Sequence, residues 1–202
     1  MSNATALYKR VYGETTKRFG PPLPIVVKAA HMLKPNCSVL DIGANEGRHS
    51  LYLAAHGHRV TAVDLPGDAI QRLRKVSEEA NLVIQVMQND ILKQGIDGRF
   101  HGIFCTFVLN FFKSSDALEI IDLMKSATLH GGINVVSLMT NNGGFYKQYA
   151  EEGWYPEQRE FRNFWNDWNI LFSMQDWRTS VFRLNGGRLR NYCVHLITRK
   201  PN

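Results

Sequence analysis

The stretch Val39-Leu40-Asp41-Ile42-Gly43-Ala44-Asn45-Glu46-Gly47 constrains the fold more than any other part of the sequence. A short apolar run ends on a carboxylate and meets a glycine-containing turn. It then passes into a helix-like segment from about Gly47 to His56, with Gly57 as its stop. The alternation continues. Arg59 to Asp64 reads as a second strand, again ending in Asp, and Asp68 to Ala80 as a polar amphipathic helix. Val83 to Gln88 is a third strand, followed by Asn89-Asp90, and Gly102 to Thr106 is a fourth. Ser115 is placed to cap a helix from Asp116 to about Thr128, with Glu119 completing the pattern. His130-Gly131-Gly132 reads as a turn and Ile133 to Leu138 as a fifth strand. Strands alternating with helices predict an α/β fold with a doubly wound, mostly parallel sheet.

Both ends depart from this rhythm. Residues 1–36 look helical and amphipathic, in two segments broken at Gly20-Pro21-Pro22, the second running from Pro24 to Met32. At the other end, Thr179–Leu184 and Leu189–Thr198 flank Asn185-Gly186-Gly187-Arg188, which predicts an antiparallel C-terminal hairpin. Between the fifth strand and the hairpin, Met139 to Gly144 reads as a turn bordering a site. Trp154 to Trp177 then holds all 4 tryptophans. Phe161, Phe164, Trp165, Trp168 and Phe172 recur at helical steps, so a helix with an aromatic face is expected there. It either packs on the sheet, caps a substrate pocket, or does both. A length of 202 residues fits a single domain. Its expected parts are a helical segment (1–36), a cofactor-binding core (37–140) and a substrate-side segment with the hairpin (141–202).

Charge narrows the function classes. The net charge is +6, from 24 basic and 18 acidic residues. Arg178, Arg183, Arg188, Arg190, Arg199 and Lys200 follow Asp176 with no acid among them, and setting them aside leaves 18 of each sign. The excess is therefore local. It either blunts the edge of a hairpin or meets an anionic ligand. Cys37, Cys105 and Cys193 have neither zinc nor disulfide spacing, and a cytoplasmic setting is expected. No apolar run is long enough for a membrane span.

In an open α/β sheet, ligands bind beyond the carboxyl ends of the strands. Gly43 and Gly47 let the backbone approach a ligand there, and the helix that follows offers free N–H groups. The loop lacks the G-x-G-x-x-G spacing of a dinucleotide site. Asp41 at the strand end would sit badly beside a pyrophosphate and suits a cationic or zwitterionic ligand. Asp64 follows Gly47 by 17 residues, where a carboxylate accepts from both ribose hydroxyls. Asp90 follows the third strand and can accept from an exocyclic amine. Three strand-end carboxylates without a phosphate-binding lysine point to a nucleoside that carries no phosphates.

These residues resemble the class I S-adenosylmethionine-dependent methyltransferases, which are Rossmann-like, and within them the tellurite-resistance (TehB-like) family. The resemblance rests on VLDIGANEGRHSLYL (39–53), VTAVD (60–64), ND (89–90), TFVLNFF (106–112), the Gly pair at 131–132 and the closing ITRK. Asn45 stands where Gly is usual, Ala44 where Cys is common, and His101-Gly102 where an acid usually opens the fourth strand. Asn tolerates positive φ better than most residues. The resemblance implies S-adenosyl-L-methionine as cofactor. Gly43 and Gly47 would line its methionine part, Asp64 its ribose, Asp90 with Ile91 its adenine, and Thr106-Phe107 its sulfonium side. Asp41, Ala44, Asn45, Arg48, Leu65 and Asn89 complete the implied cofactor set.

Methyl transfer from a sulfonium asks the protein mainly to position and desolvate. A soft nucleophile such as a thiol or chalcogen oxyanion needs little more, whereas oxygen or nitrogen nucleophiles usually want a base. His49, Asn110, His195 and Tyr146 are the candidates. His49 faces either substrate or solvent. Asn110 is placed for a substrate contact, and His195 reads better as a structural histidine within a strand. The expected partner is a small-molecule methyl acceptor, with no metal and no membrane. RNA or protein methylation on the same fold, and a catalytically silent cofactor-binding protein, stay open as alternatives. Loop spacing disfavours a nicotinamide oxidoreductase.

Overall fold

The computed structural model describes the backbone of residues 20–184 and 187–202, and the side chains of 20–180 and 187–202. The amphipathic segment expected before Gly20, and Asn185-Gly186 of the hairpin turn, lie outside the described residues. Seven strands form one sheet: β1 (Ser38–Ile42), β2 (Arg59–Asp64), β3 (Ile84–Gln88), β4 (Phe100–Thr106), β5 (Thr128–Gly143), β6 (Asn169–Leu184) and β7 (Gly187–Arg199). Their order is β3-β2-β1-β4-β5-β7-β6. Strands β1 to β5 run parallel, and β7 pairs antiparallel with both β5 and β6. The doubly wound sheet and its antiparallel C-terminal hairpin are as the sequence predicts. The strand order reverses between β1 and β4, which places a crevice at their carboxyl ends.

Among the described residues the helices are α1 (Pro24–Ala30), α2 (Arg48–Ala55), α3 (Gly67–Glu79), α4 (Ile91–Gln94), α5 (Ser114–Ala127), α6 (Gly144–Tyr149) and α7 (Gln158–Asn163), with a 3₁₀ turn at Leu109–Phe111. Strand β1 is buried along nearly its whole length because helices cover both faces. On one face Leu40, Ile42, Ile103, Cys105 and Val136 pack with Ile120, Ile121 and Met124 of α5. On the other, Val39, Phe104, Ile133 and Val135 pack with Ile25 and Val26 of α1 and Leu53 of α2. The cysteines Cys37, Cys105 and Cys193 are free and buried. Among the described residues no helix is long and apolar enough to cross a membrane.

Four local expectations need correction. The helix α5 starts at Ser114 with Lys113 at its N-cap position, so Ser115 does not cap it; its hydroxyl meets the Asp116 carboxylate instead. The segment His130-Gly131-Gly132 is not a turn between elements but an irregularity inside β5. Gly131 has φ of 71°, the register with β4 shifts across the segment, and bonds between Gly131 and Lys200 and between Lys200 and Gly132 tie it to the residue that follows β7. Met139 to Gly143 likewise continues β5, because β7 extends far enough to supply it with partners.

The fourth correction concerns the aromatic segment. Its helix is the short α7, opened by a capping box between Glu157 and Glu160. The chain turns through Phe164–Trp168 and enters β6 at Asn169. Asn166, Asp167 and Asn169 offer local side-chain bonds that compete with helix. Phe161, Trp165 and Trp168 still face the core, so the helical spacing holds that far. Phe172 falls on β6 and packs in the opposite cluster, beneath the Lys28 ammonium at 4.9 Å from its ring. Phe161→Ala should therefore destabilise the protein by about 3–5 kcal/mol in urea unfolding, with a clearly smaller loss for Phe172→Ala. Equal losses would restore the continuous aromatic helix.

Candidate functional site

The turn between β1 and α2 is fixed from below by β2. The amides of Gly43 and Ala44 both donate to the Val63 carbonyl, at 2.8 and 3.1 Å. Gly43 has φ of 71°, and a side chain there would overlap Val108; Gly47, at φ 84°, would overlap Leu73. Both positions need glycine for conformation and for space. Asn45 takes φ of 49°, the left-handed conformation its residue type tolerates. Glu46 is tied to α3 through Arg72, at 3.1 Å, and Arg72 also meets Asp68 at 3.0 Å.

The Asp64 carboxylate is held by backbone. Asn45 N–H donates to Oδ2 and Leu65 N–H to Oδ1, each at 2.7 Å. Each oxygen keeps lone pairs for a further donor. Burial raises the Asp64 pKa to about 6, against the opposing pull of the two amides. Asp41 is fully enclosed and accepts one short bond, 2.6 Å, from the Ser50 hydroxyl on α2. Burial, aided by the Asp64 charge, pushes its pKa up to about 7, while Ser50 and Arg48 pull it down. Two carboxylates thus lie near a glycine turn in a setting that disfavours their charge. A cation or a set of hydroxyl donors would relieve them.

The neighbouring strand ends carry further polar atoms. The backbone N–H of Asn89 bonds the Asp64 carbonyl, and its side-chain Oδ1 is buried without a partner among the described residues. Asp90 meets Lys93 at 3.3 Å and opens α4, whose first residue Ile91 is buried. Thr106 ends β4, and Phe107 follows with φ of 57°, fixed by a 2.7 Å bond from its N–H to the Ser137 carbonyl. A bulky residue in that conformation is strained, and such strain gathers where a side chain must be aimed. His49, in the first turn of α2, is buried rather than solvated. Its Nδ1 lies 3.3 Å from the Thr106 hydroxyl, and its Nε2 is buried with no partner among the described residues. Burial, with Arg48 adding to it, lowers its pKa to about 3.

The other candidates are occupied. The Asn110 side chain donates to the carbonyls of Met139 and Trp154, at 2.8 and 2.7 Å, and accepts from Met139 N–H at 2.8 Å. It is fully buried. Of the readings open for this candidate, the structure favours support over substrate contact: Asn110 is a strut that ties β5 to the Trp154 segment. Tyr146 is exposed on α6, with its ring edge-on to Tyr155. His195 is the structural histidine expected. Its Nδ1 lies 2.8 Å from the Ser137 hydroxyl and its Nε2 3.1 Å from Asp176 Oδ1. Asp176 is also gripped by Arg178, whose Nε and Nη2 lie at 3.0 and 2.9 Å from its two oxygens. Burial raises the Asp176 pKa, but the bonds from Arg178 and His195 outweigh it and hold the carboxyl below its usual range. Ser137 is fully buried, so these three residues are not a hydrolytic nucleophile and its base.

The sequence gives no local signal for Ser50 as partner of Asp41, for Arg72 as anchor of Glu46, or for the Ser137–His195–Asp176–Arg178 array. Each joins residues on different elements. Only the register of the sheet brings Ser137 opposite His195.

Comparison with known proteins agrees with this geometry. A family model described as "Tellurite resistance protein TehB" matches residues 8–186. Two Haemophilus influenzae proteins, each named "Probable S-adenosyl-L-methionine-dependent methyltransferase TehB", are 30% identical over 186 residues, 87% of this chain and 61% of theirs. The chain thus spans about three fifths of the length of these curated relatives. The crystal structure of TehB from Haemophilus influenzae superposes with a TM-score of 0.77 at 25% identity, over 98% of this chain and 67% of that one. The N-methyltransferase NodS from Bradyrhizobium japonicum WM9, solved with S-adenosyl-L-homocysteine, shares the fold at a TM-score of 0.74, 16% identity and full coverage of both chains.

The buried Asp41 has a stability consequence. Its folded pKa, about 7, lies above its ordinary 3.8, so the protonated form is favoured by folding and stability is lost as pH rises between those values. Asn at this position mimics the protonated acid and still accepts from Ser50. Asp41→Asn should raise the melting temperature of the ligand-free protein at pH 8 by at least about 3 °C, roughly 1 kcal/mol, and leave it unchanged near pH 4. A variant that melts lower at pH 8 would show that the ionised carboxylate is stabilising there.

Proposed function

We propose that this chain, which belongs to the tellurite resistance protein TehB family, is an S-adenosylmethionine-dependent methyltransferase acting on a small, soft nucleophile such as a thiol or a chalcogen oxyanion. The observation that carries the reading is the Asp64 carboxylate, held by the amides of Asn45 and Leu65 beside the glycine turn, with a second enclosed carboxylate at Asp41. The donor set fits this cofactor. Asp64 has free lone pairs for ribose hydroxyls. Asp41 provides negative charge toward a methionine ammonium. The buried, unpartnered Oδ1 of Asn89 suits the exocyclic amine of adenine. A pyrophosphate would meet two carboxylates instead of lysines. When bound, the cofactor supplies a methyl group activated on a positively charged sulfur.

The chain's own residues then position and desolvate. Gly43 and Gly47 let the turn close against Val108 and Leu73, and Phe107 is aimed by its strained backbone and by its ring set edge-on to His195 at 5.9 Å. With the cofactor held by these residues, it would give its methyl group to the acceptor's lone pair and keep the bonding pair on its sulfur, so the chain would only have to align the two. No proton has to move if the acceptor arrives as an anion. Three facts support a soft acceptor. His49 is too weakly basic to accept a proton near neutrality, Asn110 is consumed by main chain, and His195 is consumed by Ser137 and Asp176. The name of the matched family, tellurite resistance, points the same way.

Titration calorimetry with S-adenosylhomocysteine tests the reading. The wild-type chain should bind, and Asp64→Ala should weaken binding by roughly a hundredfold, about 3 kcal/mol for two hydrogen bonds to a charged acceptor, while circular dichroism shows a folded protein. Wild-type affinity in the variant would remove Asp64 from the site. No binding to the wild-type chain at millimolar ligand would remove the methyltransferase itself.

A further inference from the structure

A buried imidazole nitrogen without a partner is unfavourable, because a polar group removed from water loses its hydrogen bond unless another group replaces it. His49 is such a case. Its side chain is enclosed, and Nδ1 is engaged at 3.3 Å by the Thr106 hydroxyl. Among the described residues its Nε2 meets no donor or acceptor. The residue sits on the first turn of α2, next to Ser50, which grips Asp41. Its partner Thr106 is the last residue of β4, directly before the strained Phe107. His49 therefore lies between the glycine turn and the end of β4, at the point where the strand order reverses. Packing alone does not explain a histidine there, since an apolar side chain would fill the same space without stranding a nitrogen.

We propose that His49 is a direct contact of the methyl acceptor, donating a hydrogen bond from Nε2–H to an anionic acceptor atom. The inference rests on the methyltransferase reading and adds the residue that selects among acceptors. In the tautomer this proposal requires, the Thr106 hydroxyl donates to Nδ1 across 3.3 Å and the proton of the neutral ring is on Nε2. The depressed pKa keeps the ring uncharged across the physiological range, so it does not compete with the sulfonium for the acceptor's charge. Arg48 on the same helix disfavours a charged ring further, and Asp41 is engaged by Ser50 rather than by His49. A neutral donor suits a thiolate or an oxyanion, which present lone pairs. It does not suit an ammonium, which presents only protons. His49 thereby favours anionic acceptors and leaves the lone pair that attacks the methyl group unprotonated.

The test uses the full chain with ¹⁵N-labelled histidine. Long-range proton–nitrogen spectra should show His49 as the neutral Nε2–H tautomer, with and without S-adenosylhomocysteine. Tellurite or 2-mercaptoethanol, added as probes to the complex with S-adenosylhomocysteine, should shift the His49 Nε2 resonance. In turnover of S-adenosylmethionine with the same probes, His49→Leu should raise the acceptor KM at least about tenfold, while calorimetry gives an unchanged Kd for S-adenosylhomocysteine. His49→Gln places an amide N–H near the same point and should recover most of the loss. An Nδ1–H tautomer, an imidazolium, or an Nε2 signal indifferent to both probes would overturn the proposal in the wild-type protein, whatever the variants do. A change in Kd for S-adenosylhomocysteine as large as the change in KM would also overturn it, by assigning His49 to the cofactor side. Failure of the wild-type chain to bind S-adenosylhomocysteine would instead strike the functional reading beneath it.

Discussion

Two backbone amides, those of Asn45 and Leu65, close on the Asp64 carboxylate at 2.7 Å each, and the shape of the site follows from that grip. Asn45 belongs to the turn after β1 and Leu65 to the turn after β2, so one side chain joins two successive strand ends. The bond helps hold Asn45 at φ 49°, and this conformation lets the chain double back into α2. Loss of the carboxylate would therefore unsettle the turn as well as remove an acceptor. The same arrangement keeps two carboxylates from full solvation, which is unfavourable for the ligand-free protein and makes a positively charged ligand the natural complement.

The second half of the sheet is held by a separate polar layer. Ser137, His195, Asp176 and Arg178 run across β5, β7 and β6, and every member has a partner. Asn110 adds a lock between the turn after β4, strand β5 and the Trp154 segment. These contacts are structural, and they make the wall against which Phe107 is set. The basic residues of the tail are partly absorbed in the same way. Arg178 pairs with Asp176, Arg190 stacks on Trp177 at 5.2 Å, and Lys200 caps the carbonyls of Lys125 and Thr128. What the charge count suggests as a basic surface is in these places internal bonding along the antiparallel strands.

The half of the site proposed to hold the cofactor is legible in the sequence because it is local. Asp41, Gly43, Asn45 and Gly47 lie within one turn, and their conformations follow from residue type: glycine where a side chain would collide, Asn where φ is positive. The strand-ending carboxylates announce themselves by position. The polar contacts that support the other half of the sheet are not legible, because they depend on pairing over distance. His195 finds Ser137 58 positions away, and Asn110 finds Trp154 44 positions away. The aromatic segment misleads for a related reason. Helical spacing from Phe161 to Trp168 is real, yet pairing with β7 claims the chain from Asn169 onward and turns Phe172 to the opposite face. His49 reads in sequence as equally suited to solvent or substrate. Only the fold shows that solvent is excluded.

Proton linkage measured by titration calorimetry tests the central claim, that the strand-end carboxylates Asp41 and Asp64 face the ammonium and the ribose of a nucleoside-linked amino acid. Binding of S-adenosylhomocysteine is followed from pH 5 to 8 in buffers of different ionisation enthalpy. Asp41 and Asp64 hold protons in the free protein up to about 7 and about 6, and give them up to meet the ammonium and the ribose hydroxyls. Affinity should rise with pH across that window, with net proton release that fades by pH 8. Binding that is flat in pH and releases no proton would contradict the claim, because it would place the ligand away from both carboxylates.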